Sequence, residues 1–95
     1  MNIKVKNRNH TADNDAKCCG TWIAHWKKHR GFSPSYCRGC NYTGKDLVGG
    51  HVNKVGNNTD DKWYIVPLCK GCNNIKDKEF CVEESDLVWV GACDK

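Results

Sequence analysis

The sequence predicts a small α+β domain, and three features support that fold class. A pentapeptide occurs twice, as CRGCN at residues 37–41 and as CKGCN at residues 69–73. Between the copies, two apolar stretches flank a polar segment, which is typical of a β-hairpin. Before them, residues 22–30 carry two tryptophans at helical spacing. Because domains commonly hold about 100–150 residues, we expect residues 1–95 to form one domain.

Each pentapeptide predicts a tight turn that carries two thiols three positions apart. We expect the glycine before the second cysteine, Gly39 or Gly71, to adopt a positive φ and to turn backbone N–H groups toward a thiolate. A disulfide framework and a redox CxxC motif are the alternatives, and the redox motif needs a βαβ context that this sequence lacks. Two CxxC pairs predict one structural, tetrahedral Zn²⁺ site. Its ligands are Cys37, Cys40, Cys69 and Cys72.

The composition adds weaker constraints. The formal net charge of +4 permits nucleic-acid binding without requiring it, and a lysine-rich solvated surface is the alternative. The N-terminal residues hold no apolar run, so we expect no signal peptide, no membrane span and a cytoplasmic protein. In a reducing compartment, paired thiols are more often metal ligands than disulfides.

Local patterns predict the elements before the first pentapeptide. Residues 3–6 alternate apolar and basic side chains, which indicates a short edge strand. Residues 22–30 indicate a helix that Thr21 caps and Gly31 ends. We expect the two tryptophans of this helix to be core anchors rather than a platform for base stacking.

The hairpin and the second pentapeptide predict the rest of the fold. We expect hairpin strands at residues 47–52 and 63–66, with Pro67 ending the second. A short helix is expected at residues 73–80 and a last strand at residues 87–90. This order, a zinc knuckle, a hairpin and a knuckle that opens a helix, is that of a treble-clef zinc finger. Its core spans about residues 36–80, and the tryptophan-rich helix and short strands flank it.

These residues resemble an HNH-type ββα-metal domain. The resemblance is closer to a group of small HNH-like proteins, which share a tryptophan-containing helix, a Gly-His-Val segment, a WYIVPLC stretch and a C-terminal cysteine. In that group the second knuckle often ends in His-Asn. This chain has Cys72-Asn73 there, and a cysteine preserves zinc ligation. The matching residues are 21–26, 50–52, 63–69 and Cys93.

The resemblance implies a catalytic role for His51 if the chain is a nuclease. In active HNH nucleases, the matching histidine is the general base. A divalent ion, Mg²⁺ or Mn²⁺, is held against the phosphate by an acidic residue and a helix histidine. Here Gly50 and Asn73 stand at those two positions, and Tyr64 or Trp63 stands where an asparagine orients the base. The alternative for His51 is a hydrogen-bonded histidine at a strand end.

Three functions follow as hypotheses. The first is a non-catalytic zinc module that binds nucleic acid or a protein partner. The second is a divalent-metal-dependent HNH endonuclease. The third is a small phage or mobile-element inhibitor or adaptor of a larger complex. Cations suggested as phosphate contacts for the first hypothesis are Lys27, Lys28, Arg30, Arg38, Lys70, Lys76 and Lys78.

Four cysteines lie outside the predicted zinc set. We expect Cys18 or Cys19 to meet Cys93, as closely packed thiols or as a disulfide that joins the two ends of the domain. A second metal site is the alternative, in which His25 or Cys81 completes the ligands.

Overall fold

A computed structural model describes residues 2–8, 20–44, 47–56, 62–75 and 77–91. Within these ranges, the chain forms one five-stranded sheet with strand order β4-β1-β2-β3-β5, and each neighbouring pair is antiparallel. A short 3-10 helix, Glu84–Asp86, precedes the last strand. The elements in chain order are β1 (Asn2–Asn7), α1 (Trp22–Arg30), β2 (Val48–Lys54), β3 (Tyr64–Leu68), α2 (Lys70–Asn73), β4 (Glu79–Glu83) and β5 (Val88–Trp89).

The sheet has a different apolar cluster on each face, because successive side chains of a strand point to opposite sides. On one face, α1 places Trp26 against Ile65 and Val88. On the other, the cysteine knuckles pack on a larger cluster of Ile3, Val5, Val52, Val66, Leu68 and Val82. The coarse α+β prediction is therefore confirmed. Neither α-helix of the described residues has the length and apolar character needed to span a membrane.

Helix α1 forms at the predicted residues and with the predicted caps. The Thr21 hydroxyl accepts a hydrogen bond from the Ala24 backbone N–H at 3.1 Å. Gly31 adopts φ 83°, and its N–H donates to the Lys27 carbonyl. Trp26 is fully buried and Trp22 packs beside it, as predicted for core anchors.

Strand β1 lies inside the sheet, so the predicted edge position is wrong. It pairs with β2 on one side and with β4 on the other. Its alternating pattern determines which face its side chains occupy, and Ile3 and Val5 lie in the larger cluster.

Strand β3 continues through Pro67 to Leu68, although the sequence suggested that Pro67 ends it. Pro67 is paired with Gly49 of β2, while its carbonyl accepts a hydrogen bond from the Arg38 N–H at 2.9 Å. The Pro67 nitrogen lies on the same side as this carbonyl, away from β2. The missing N–H therefore costs no ladder hydrogen bond.

The helix predicted at residues 73–80 is also wrong. Helix α2 ends at Asn73, and the chain turns through Asp77, whose φ is 66°, into β4. Backbone bonds to Asn7 hold this turn: Asp77 N–H donates to the Asn7 carbonyl at 2.7 Å, and Asn7 N–H donates to the Lys78 carbonyl at 2.8 Å. Pairing with β1 therefore outweighs the local helix signal.

Candidate metal centre

The four cysteines of the two pentapeptides converge on one point. The sulfurs of Cys37, Cys40, Cys69 and Cys72 all lie within 4.8 Å of one another. Cys40 Sγ and Cys69 Sγ are 3.7 Å apart. Ligands about 2.3 Å from a tetrahedral Zn²⁺ are separated by about 3.8 Å, so this donor set fits one zinc ion. Cys37 and Cys72 are buried, whereas Cys40 is exposed.

Each knuckle contains the same type of backbone hydrogen bond. The Asn41 N–H donates to the Cys37 carbonyl, and the Asn73 N–H donates to the Cys69 carbonyl, both at 2.9 Å. The first knuckle leaves this turn at Asn41, where φ is 67°. The second continues as α2, with Cys69 as the helix N-cap. The repeated sequence therefore gives two similar turns with different exits.

The glycines of the knuckles do not adopt the positive φ that the sequence suggested. Space is tight at Gly39 instead: a Cβ there would lie 3.1 Å from Cys72 Sγ. A Cβ on Gly71 would meet only Cys69 Sγ, at 3.9 Å. The predicted N–H contacts to sulfur are present without the positive φ, since the Gly39 N–H donates to Cys37 Sγ at 3.2 Å.

The thiols differ in acidity within the cluster. Burial raises the pKa of Cys37, but backbone N–H groups of Cys69, Gly39 and Cys40 outweigh it and lower that pKa to about 7. Burial raises the pKa of Cys69. Burial, together with the neighbouring thiols, raises the pKa of Cys72. Cys37 is therefore the thiol that ionises most readily before metal binds, and zinc must displace protons from Cys69 and Cys72.

Asn7 supports the second knuckle from β1, a role that sequence reasoning missed. Its fully buried amide nitrogen lies 3.0 Å from the Cys72 carbonyl and 2.9 Å from the Ile75 carbonyl, and 3.1 Å from that of Asn73. These carbonyls lie at the end of α2 and just after it, so the Asn7 amide adds to the backbone bonds that hold this turn, such as that from the Ile75 N–H to the Cys72 carbonyl. The sequence did hold a signal for this role: in the alternating strand β1, Asn7 occupies the next position on the buried face after Ile3 and Val5.

Arg38 supports the first knuckle and is not an exposed phosphate contact as suggested. Its Nε donates to Asp86 Oδ2 at 2.9 Å, and its side chain is only 6% exposed. Its guanidinium lies over the Tyr36 ring, 4.0 Å from the centroid. Trp26 Nε1 donates to the Asp86 carbonyl at 2.8 Å, so the knuckle, α1 and the 3-10 turn are joined.

His51 lies in the middle of β2, on the face that α1 covers. Its ring packs edge-on against the rings of Trp22 and Trp63, with centroids 5.0 and 5.9 Å away, and the residue is buried. His51 is therefore an interior residue of β2, surrounded by aromatic rings, and does not stand at the end of the strand as expected.

Gly50 and Asn73 lie on the opposite face from His51. A Cβ on Gly50 would lie 2.3 Å from Leu68 Cδ1 and 3.1 Å from Asn73 Oδ1. An acidic side chain at position 50 would therefore collide with Leu68. The sheet separates the His51 ring from the Asn73 side chain.

Of the remaining predicted ligands, the structure describes His25 and Cys81, which lie at different parts of the sheet. His25 Nε2 lies 3.0 Å from the Trp89 carbonyl, which fixes the proton on Nε2, and burial lowers the pKa of this imidazole. Cys81 lies on β4, at the other edge of the sheet from the strand that holds Trp89. The predicted pairing of Cys18, Cys19 and Cys93 lies outside the described residues.

Among the described residues, no other group of three or more histidine, cysteine or acidic side chains converges as the four cysteines do. The metal centre is thus the most strongly marked site in this part of the chain. Comparisons of the chain with protein-family models, with curated proteins and with solved structures give no significant match.

Proposed function

We propose that the chain is a zinc-stabilised, non-catalytic, HNH-like treble-clef module that binds nucleic acid or a protein partner. The observation that carries this proposal is the convergence of four thiols within 4.8 Å. A zinc ion held by four cysteines has no open position for water or substrate, so its role is structural. It would cross-link two chain segments beneath a small core.

The order of elements supports the treble-clef assignment. The β2–β3 hairpin lies between the two cysteine pairs, and the second pair opens α2. Helix α2 has four residues, which is shorter than the helix expected at residues 73–80. After α2 the chain turns into β4, and the Asn7 amide donates hydrogen bonds to carbonyls of this knuckle.

Metal analysis tests the structural site. Protein purified without added chelator is expected to carry one zinc per chain. Cys69→Ser is expected to lose most of the zinc, whereas Cys81→Ser, which alters an exposed cysteine of β4, is the matched control and should retain it. Equal zinc content in all three proteins would contradict the proposed ligand set.

The arrangement around His51 favours the non-catalytic form over the nuclease. A nuclease base must reach the phosphate that the divalent ion holds. Here His51 packs between two indole rings on one face, and Asn73 lies on the other, with no space for an acid at Gly50.

A plasmid-nicking assay separates these two forms. Zinc-loaded protein is expected to leave supercoiled plasmid intact with Mg²⁺ or Mn²⁺. Nicking that disappears in a folded His51→Asn variant would instead support the HNH endonuclease. Circular dichroism of the variant verifies the fold, because His51 contributes to the core.

A further inference from the structure

Charges of opposite sign occupy different parts of the described chain. All five described carboxylates lie within residues 77–86, whereas residues 20–44 contain no carboxylate and four Lys or Arg side chains. Cations of β1 pair with this acidic segment, as Lys4 and Lys6 do with Glu79. Lys27 and Lys28 at the exposed end of α1 have no carboxylate partner among the described residues. Within the described residues, the segment at 20–44 thus carries positive charge with no carboxylate of its own.

A groove runs along this basic segment, between α1 and the chain that enters and leaves the first knuckle. Its first part has a volume of about 380 Å³ and is lined by Ile23, Lys27, Pro34 and Leu47. A second depression of about 420 Å³ reaches Tyr36. Ser35 and Thr43 line both parts, so the two depressions adjoin. The described lining residues carry a lysine and no acid.

Exposed aromatic residues belong to the segments that line the groove, and Tyr36 itself lines it. Phe32, Tyr36 and Tyr42 are 47%, 38% and 47% exposed. One face of the Tyr36 ring is covered by the Arg38 guanidinium, which Asp86 holds in place. Tyr36 is therefore ordered before any ligand arrives, so binding costs less side-chain entropy.

We propose that the groove and the residues next to its lining in sequence bind single-stranded nucleic acid. This basic aromatic face consists of Lys27 and Tyr36, which line the groove, and Lys28, Phe32 and Tyr42, which adjoin lining residues. Lysine ammonium groups contact phosphates, and bases stack on the tyrosine and phenylalanine rings. A single strand is favoured over a duplex because its bases are free to stack on side chains. The inference rests on the proposed function, since the zinc site holds the knuckle that positions Tyr36.

Fluorescence anisotropy with zinc-loaded protein tests the lysines. The probes are labelled single-stranded RNA and DNA of about 12 nucleotides, a length within the usual range of single-strand sites. Lys27→Ala/Lys28→Ala is expected to weaken binding and to reduce the slope of log K against log salt by about 1.4, because each phosphate contact contributes about 0.7. Lys4→Ala/Lys6→Ala removes the same charge from β1 and should change binding much less.

Two outcomes of this comparison overturn the proposal. Equal effects of the two double variants would show that net charge, and not this face, attracts the strand. Absence of binding to both probes, in protein that retains one zinc per chain, would overturn the nucleic-acid inference alone and favour a protein partner. Absence of zinc would instead overturn the proposed function.

Tyr36 tests the stacking step. Tyr36→Ala is expected to weaken binding by roughly 5- to 150-fold, the loss typical of one stacked base. Tyr36→Phe keeps the ring and is expected to bind almost as the unsubstituted protein does. A blunt duplex of the same length should compete poorly. Equal competition by the duplex, or unchanged binding by Tyr36→Ala, would contradict base stacking on this face.

Discussion

Arg38 and Asp86 form a largely buried ion pair that joins the first cysteine knuckle to the turn before β5. The Arg38 Nε and Asp86 Oδ2 atoms are 2.9 Å apart, with side chains 6% and 13% exposed. Because Trp26 also donates to the Asp86 carbonyl, the pair lies where α1, the knuckle and the 3-10 turn meet. The metal centre and α1 are therefore parts of one packed unit.

Removing Asp86 should destabilise the protein strongly. Asp86→Ala leaves the Arg38 guanidinium buried without its carboxylate, and breaking such a pair typically costs about 3–5 kcal/mol. Urea unfolding at fixed free zinc measures the loss. Lys4→Ala breaks an exposed pair with Glu79 and should cost less than about 1 kcal/mol. Similar losses in the free energy of unfolding of the two variants would show that the buried pair stabilises the protein no more than an exposed pair does.

Asn7 should matter far more than an exposed asparagine. Asn7→Ala removes the hydrogen bonds that the Asn7 amide donates to carbonyls of the second knuckle, and a typical hydrogen bond of this kind contributes about 0.5–1.5 kcal/mol. Asn53→Ala is the matched control, since its amide donates to one exposed carbonyl, that of Lys62. We expect Asn7→Ala to lower both the free energy of unfolding and the zinc affinity, and Asn53→Ala to change neither by much. The reverse order would refute the supporting role of Asn7.

The two knuckle glycines should respond differently to alanine. Gly39→Ala places a methyl group 3.1 Å from Cys72 Sγ, and overpacking of this kind typically costs about 1–3 kcal/mol. Gly71→Ala meets ordinary contact distances within α2, where alanine is favoured over glycine by about 0.5–1 kcal/mol. Competition with a chromophoric chelator measures the zinc affinity of each variant, which is expected to fall in Gly39→Ala and to stay nearly unchanged in Gly71→Ala. Weakened zinc binding in Gly71→Ala but not in Gly39→Ala would contradict this geometry.

Zinc binding should weaken as the pH falls. Burial raises the pKa of Cys69 and of Cys72 above 9.0, and an unfolded cysteine also has a pKa of about 8.5, so both thiols are mostly protonated near pH 7 before zinc binds and lose their protons to it. Affinity is therefore expected to rise by at least about 100-fold per pH unit from these two ligands. Competition titrations at pH 7 and pH 8 measure this rise. An affinity that does not change with pH would exclude thiolate ligation by these two residues.

Local signals accounted for the parts of the fold that the sequence predicted correctly. The caps at Thr21 and Gly31 define α1 because they satisfy backbone groups within one turn. The spacing of the four cysteines predicted their convergence, because two tight turns with paired thiols have few other ways to form a metal site. The caps of α1 and each CxxC pair involve residues close together in the chain, whereas the meeting of the two pairs was inferred from zinc chemistry.

Long-range pairing determined what the sequence did not reveal. Phe80 and Val82 alternate as strand residues do, but only the presence of β1 across the sheet decides that they form β4 rather than extend α2. The role of Asn7 depends on carbonyls more than 60 residues away. Arg38 was suggested as a phosphate contact because the sequence does not show its pairing with Asp86, 48 residues away.

The most direct test of the zinc-stabilised fold is far-UV circular dichroism during chelation. Adding a strong zinc chelator to the purified protein is expected to unfold it in step with release of one zinc per chain, and restoring zinc is expected to refold it. A chain that keeps its secondary structure and its thermal stability after complete removal of zinc would contradict the structural role of the four cysteines.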